Sequence, residues 1–292
     1  MYLGTRMPQA SPSESQFVLV DGVRMHYQVL GHDAGRPPII FTHGGGPGST
    51  AWSNFRLSAA TFAANHRCYF LDLPQFGGSD MVPVQGPLWS WHANKLLGFM
   101  DAVGIAKAHL INQSFGGGVA LRLGADHPER VARLIAIGSQ PVDQGVLAPL
   151  PLFSKHAATL MSDYYLADSG PTLEKMRVLL QRYELHDDSR LEAENLRLRF
   201  QASNNPDYIQ LLKTPGAFGE WENLLPVLHQ VQAPVLLCWG LHDWFGSVDV
   251  PMMLLNRLCN GQLHVFGNAA HHLQTECPDE FNRLAASFIG AE

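Results

Sequence analysis

Charge is scarce in this chain. Asp, Glu, Lys and Arg make up 16% of its 292 residues and the formal net charge is −6, where a typical soluble domain carries about 25% charged residues. No run of Lys or Arg stands out, so there is no electrostatic case for binding nucleic acid. No stretch approaches the ~20 apolar residues that a membrane span needs. The opening "MYLGTRMPQASPSESQ" has no apolar core for a signal peptide and reads as a disordered lead-in over residues 1–15. These absences give the expectation of a cytoplasmic protein with no membrane and no nucleic-acid partner. Cysteine is also sparse: Cys68, Cys238, Cys259 and Cys277 form no C-x-x-C pair. That argues against a disulfide framework and against a zinc site, and for buried free thiols.

Apolar residues are plentiful, at 46%, and they are organised. "QFVLVDGVRMHYQVLG" (16–31) reads as a hairpin turning at Asp21-Gly22. Apolar runs at 37–42, 67–74, 108–114, 131–139, 233–240 and 262–267 read as buried strands. Helical spacing at 88–105, 115–128 and 279–289 alternates with them. Continuous apolar strands separated by helices predict an α/β fold, a mainly parallel sheet covered on both faces. The alternation stops between 140 and 227, where stretches such as "PTLEKMRVLLQRYEL" are helical and no strand is convincing. The expected organisation is a core of 16–139 and 228–292 with a helical cap at 140–227.

Open parallel sheets bind ligands beyond the carboxyl ends of their strands. Three polar residues follow strands there. Ser114 lies between "HLINQ" and "FGGGVAL", Asp243 follows "VLLCWGLH", and His271 follows "QLHVFGNAA" with His272 beside it. Singly, these are an N-cap serine, a turn aspartate and an ordinary histidine. Together, in the order Ser, Asp, His, each after its own strand, they match the α/β-hydrolase arrangement. The serine hydroxyl needs a base to take its proton, and the carboxylate fixes the tautomer of that base. "HGGGPG" (43–48) fits an oxyanion-hole loop that works with the Phe115 N–H. It is not a phosphate loop, because no Lys-Ser/Thr follows its glycines.

"HGGGPGSTAWSNF", "NQSFGG", "WGLHDWF" and "LHVFGNAAHHLQTECPDEFNRL" together resemble the meta-cleavage product hydrolases. These are α/β-hydrolases that split a carbon–carbon bond in 2-hydroxy-6-oxo-dienoates. The resemblance spans nearly all of the chain after residue 15. It implies Ser114, Asp243 and His271 as the triad and Gly45 and Phe115 as oxyanion-hole donors. It also implies that Gly44, Asn54, Gln113, Arg199 and His272 lie against the substrate, with Asn54 and Arg199 on its carboxylate and adjacent oxygen. A small-molecule substrate, no cofactor, no metal and a homo-oligomer are the accompanying expectations.

Four departures from the family pattern stand out. Asn112-Gln113 replaces Gly-Asn before the serine, and His272 replaces a tryptophan. "GSQP" (138–141) replaces "GPGG", and Gln75 replaces a glycine. Several belong to the polar end of the pocket and point to a changed ligand there. An esterase, lactonase or amidase on the same triad is therefore the second expectation. Aromatics at Phe153, Tyr164, Tyr165, Tyr183, Phe218 and Trp221 read mainly as packing of the cap, with some left for an apolar tail.

Overall fold

A computed structural model describes residues 14–142, 159–167 and 170–290. Its centre is an eight-stranded sheet in the order β1-β2-β4-β3-β5-β6-β7-β8. The strands are β1 Gln16–Val20, β2 Val23–Leu30, β3 Ile39–Thr42, β4 Cys68–Leu71, β5 Ala108–Gln113, β6 Val131–Ile137, β7 Val235–Gly240 and β8 Gly261–Phe266. Only β2 runs against its neighbours; β4 through β8 are parallel to β3. All eight expected strands form.

The continuous apolar runs are explained by two-sided burial. Successive strand residues face opposite ways, and the core divides accordingly. Ile39, Phe41, Cys68, Phe70, Leu236 and Cys238 pack on one face with α1 Ala51–Phe55, α2 Ala59–Ala63, and Phe281 and Phe288 of the closing helix Pro278–Gly290. Ile40, Tyr69, Leu71, Val235, Leu237 and Trp239 pack on the other, against α3 Leu88–Ala102 and α4 Phe115–Asp126. Cys68 and Cys238 are buried free thiols, as expected, but Cys259 is exposed and Cys277 is half-buried.

The connection from β3 goes to β4 on one side, and the chain then returns past β3 to β5 on the other. This reversal leaves a crevice above the carboxyl ends of β3 and β5. Between β6 and β7 the described residues are helical, with helices at Leu173–Leu179, Ala193–Ser203 and Pro206–Leu212. They enclose a separate apolar cluster of Tyr164, Tyr165, Met176, Leu179, Leu180, Leu196 and Tyr208. Phe153 lies outside the described residues. Residues 1–13 of the expected lead-in do too.

Candidate active site

Each site residue sits just past a strand end. β5 stops at Gln113, and Ser114 turns the chain into α4 with φ 49° and ψ −109°. A side chain held at positive φ costs of order 1–3 kcal/mol, a strain typical of functional sites. The Ser114 N–H donates to Ile137 O at 2.6 Å, and its carbonyl accepts from Gly117 and Gly118 to start the helix. Asn112, where a glycine was expected, is buried and bridges neighbouring strands. It accepts from Thr42 Oγ1 at 2.7 Å, and its Nδ2 donates to Ile135 O at 3.4 Å. The substitution is absorbed by polar pairing between strands.

Asp243 follows β7 and is held by its own turn. Its Oδ1 accepts the Phe245 N–H at 2.8 Å, and its Oδ2 accepts from His271 Nδ1 at 2.8 Å. The Asp243 side chain is fully buried. Because Nδ1 donates to the carboxylate, Nε2 is the ring's free acceptor in neutral imidazole. Gly138, at φ 57°, leaves room for this pair. A Cβ there would lie 2.9 Å from His271 Nδ1 and 3.1 Å from Asp243 Oδ2.

Ser114 and His271 line one cavity of about 140 Å³ together with Gly45, Phe115, Gln113, Gln140, Glu184, Phe245 and His272. Leu160, Met161 and Trp221 also line it, so among the described residues Trp221 is the expected tail aromatic that reaches it. Among the described residues no acceptor takes the N–H of Gly45 or Phe115. The glycine loop is braced from behind by His43. Its Nε2 accepts the Leu73 N–H at 3.0 Å, which leaves Nδ1 to donate to Gly44 O at 2.8 Å. Burial pushes this imidazole's pKa down, consistent with a neutral ring.

Three of the residues expected against the substrate, Gly44, Asn54 and Arg199, make hydrogen bonds within the protein. Gly44 and Asn54 do not line the cavity. The Gly44 N–H donates to Asn54 Oδ1 at 3.0 Å, and Asn54 Nδ2 donates to Ser49 and Ser53 hydroxyls. These bonds shape the loop, and Gly44 is glycine where a Cβ would overlap Gln113 Oε1. Arg199 is 0% exposed. Its Nη1 and Nη2 each donate to Glu184 at 2.8 Å, and its Nε donates to Pro47 O at 2.8 Å. Of this pair, Glu184 lines the cavity.

Glu184 is the residue that sequence reasoning missed. It ends a π-helical turn, Leu180–Glu184, and nothing in "QRYELHDD" separates it from a surface glutamate. Its carboxylate also accepts from His272 Nε2 at 3.0 Å. Burial would push its pKa up, but the charges and hydrogen bonds of Arg199 and His272 outweigh that and hold it well below the usual carboxylate range. Burial pushes His272 down against the pull of Glu184. Gln140, within the altered "GSQP", contributes a buried carboxamide to the cavity. Among the described residues no group of His, Cys, Asp and Glu is arranged to hold a metal.

The profile of the alpha/beta hydrolase fold matches residues 37–278. The chain belongs to the α/β-hydrolase family. Within it, a 2-hydroxy-6-oxononadienedioate/2-hydroxy-6-oxononatrienedioate hydrolase of Burkholderia vietnamiensis is 30% identical over 290 residues, covering 96% of each chain. A 2-hydroxy-6-oxo-6-phenylhexa-2,4-dienoate hydrolase of Comamonas testosteroni is 32% identical over 270 residues, covering 91% of each. The solved meta-cleavage product hydrolase of Pseudomonas fluorescens IP01 superposes with a TM-score of 0.77 at 27% identity, covering 94% of this chain and 96% of that one. The resemblance read from the motifs is therefore borne out, and this α/β-hydrolase groups with the meta-cleavage product hydrolases. Its described helices include none long and apolar enough to cross a membrane.

Proposed function

We propose that this hydrolase cleaves a carbon–carbon bond in a vinylogous diketone of the ring-fission type, with Ser114 as nucleophile. The observation that carries this reading is the His271–Asp243 pair at 2.8 Å, facing the cavity that it shares with a serine on a strained turn. His271 Nε2 takes the Ser114 proton as Oγ attacks the ketone distal to the conjugated system. The N–H groups of Gly45 and Phe115 stabilise the oxyanion. The carbon–carbon bond then breaks, its electron pair passes into the conjugated ketone, and the imidazolium returns the proton to carbon. Water, deprotonated by His271, releases the acyl group from Ser114. Asp243 holds the tautomer throughout.

The relatives' names support the bond type, since both act on 6-oxo-dienoates. Residues 140–227 serve in this reading as the cap, because Leu160, Met161, Glu184 and Trp221 come from that segment to the cavity wall. A homo-oligomer in the cytoplasm completes it. The second reading is an esterase, lactonase or amidase, favoured by the uncharged carboxamides of Gln113 and Gln140 in the wall.

Stopped-flow absorbance with a panel of coloured ring-fission products tests the first reading. Wild type should bleach the dienoate band, and Ser114→Ala should stall with the substrate bound. If no member is bleached while small esters turn over rapidly, the second reading replaces the first.

A further inference from the structure

Glu184, His271 and His272 are titratable side chains of the cavity wall, and among the described residues no Lys or Arg lines it. His271 has its own partner in the Asp243 carboxylate at 2.8 Å. Glu184 has two partners. Its oxygens accept both arms of the Arg199 guanidinium at 2.8 Å each, and Nε2 of His272 lies 3.0 Å from Oε2. The Glu184 and Arg199 charges cancel, so this cluster offers a ligand no net charge while His272 is neutral.

Burial pushes His272 below its ordinary value against the pull of Glu184, and the charges of Arg199 and His271 add to the fall. The ring of the free protein is therefore neutral near pH 7. In that form Nε2 carries the proton toward Glu184 and Nδ1 keeps a lone pair. No group among the described residues pairs with Nδ1, and it is not one of the unpaired atoms sealed inside the protein. Its ring belongs to the cavity wall.

An anion brought to this wall changes the balance. An opposite charge within about 4–6 Å favours the charged form of a histidine. A carboxylate beside Nδ1 supplies that charge and accepts the new N–H in a charge-assisted hydrogen bond. His272 then adds the positive charge that the cluster lacked. Arg199 cannot serve in its place, because its Nε is tied to Pro47 O at 2.8 Å and both arms are held by Glu184. Pulling the guanidinium away would leave a buried carboxylate unpaired.

We propose that His272 holds the carboxylate head of the substrate and takes up a proton from solvent as that head binds. The proton enters at Nδ1 while Nε2 stays on Glu184, and no bond of the ligand breaks. Glu184 orients the ring, as Asp243 orients His271. The bound state holds more protons than the free state, so affinity for the carboxylate rises as pH falls. This inference rests on the ring-fission reading for the carboxylate head, but its test does not need the carbon–carbon bond to break.

The test uses Ser114→Ala with 6-oxo-6-phenylhexanoate and its primary carboxamide, which have no enol to ionise and no conjugated bond to cleave. Titration calorimetry in buffers of different ionisation enthalpy counts the protons taken up. The carboxylate should bind with uptake of about one proton near neutral pH and the carboxamide with none. The Kd of the carboxylate should loosen about threefold or more from about pH 7 to about pH 8, toward the tenfold per unit that a full proton implies. His272→Gln in this background should abolish the uptake and weaken the carboxylate about tenfold. Uptake that persists in His272→Gln would put the proton on His271 and overturn the proposal, as would binding of the carboxylate without uptake, or no binding at all. Circular dichroism checks that His272→Gln is folded. If it is not, Glu184→Gln decides: with Arg199 unbalanced the carboxylate should bind without uptake, and unchanged uptake would count against the proposal. Wild-type turnover of ring-fission products, measured beside this, separates the two claims. Proton-linked binding with no bleaching would sink the carbon–carbon chemistry and leave this inference standing, and bleaching with binding that takes up no proton would do the reverse.

Discussion

Glu276 accepts the backbone N–H of Ala270 at 2.6 Å, one residue before His271. Its other oxygen accepts from the N–H groups of His186 and Asp187 at 2.7 and 3.0 Å. One buried carboxylate therefore pins the histidine loop to the chain just after Glu184. Glu276→Ala would strip three N–H groups of their acceptor. Bonds to a charged group contribute about 1.5–3 kcal/mol each and are not additive, so a loss of about 4 kcal/mol is expected. Turnover should fall more than binding, because His271 loses its anchor. Glu276→Gln, with one acceptor oxygen left, should lie between. Urea unfolding and kcat measured together check this; a Glu276→Ala protein as stable as wild type would show that the pin bears no load.

Gly117 faces Ser139 across the start of α4, and a Cβ on Gly117 would overlap the Ser139 hydroxyl. In an open helix Gly→Ala gains about 1 kcal/mol. Here Gly117→Ala should instead destabilise by about 2 kcal/mol or more, as overpacking does. Adding Ser139→Gly should restore most of the loss, since the next nearest atom, Ala136 Cβ, would be 3.4 Å away. A double-mutant cycle in denaturant measures the coupling, and simple additivity of the two changes would refute the contact.

These packing relations show what was legible in the sequence. Strands β3, β4 and β7 were readable because each is buried on both faces and so is apolar nearly without a break; β1 and β2 were readable from their turn at Asp21-Gly22. Ser114, Asp243 and His271 were readable as a candidate triad because each follows a strand. Cysteine burial was readable only where the thiol lies in a strand, as at Cys68 and Cys238. The partner of Arg199 was not readable. Glu184 lies fifteen positions earlier, reaches it through a π-helical turn, and looks like any solvated glutamate in a helix. The resemblance implied a substrate contact for Arg199, and nothing in the sequence pointed to its ion pair. The bonds that Asn54 makes within the glycine loop were not readable either.

Gln75 adopts φ 74°, where a glycine was expected from the motif. A side chain there costs about 1–2 kcal/mol. The same side chain offsets this by donating Nε2 to Val82 O at 2.8 Å and to Ala217 O at 2.9 Å, tying the loop to a distant segment. Gln75→Gly should relieve the strain and lose both bonds. Gln75→Ala should lose the bonds and keep the strain, and so be about 1 kcal/mol less stable than Gln75→Gly. Denaturation midpoints of the two variants decide; identical midpoints would mean that the backbone there is unstrained.

His92 is fully buried beside Phe115, and neither ring nitrogen has a hydrogen-bond partner among the described residues. Burial, reinforced by the nearby His43, pushes its pKa down to about 3. An unfolded chain would take up the proton near pH 6.5, while the folded chain resists it until far lower. The unfolded state therefore binds more protons across that window, so the stabilisation is complete above about pH 6.5 and is lost progressively as pH falls toward the folded value. Between about pH 7.5 and pH 5 this histidine alone should account for roughly 2 kcal/mol of lost stability. Burial likewise pushes His109 to about 4, and it should steepen the same acid limb. His92→Leu, similar in volume and without a titrating group, should be at least as stable as wild type near neutrality and lose about 2 kcal/mol less on acidification. Unfolding of both proteins at the two pH values measures this directly. An unchanged difference between pH values would mean that His92 is protonated, or reached by water, in the folded protein.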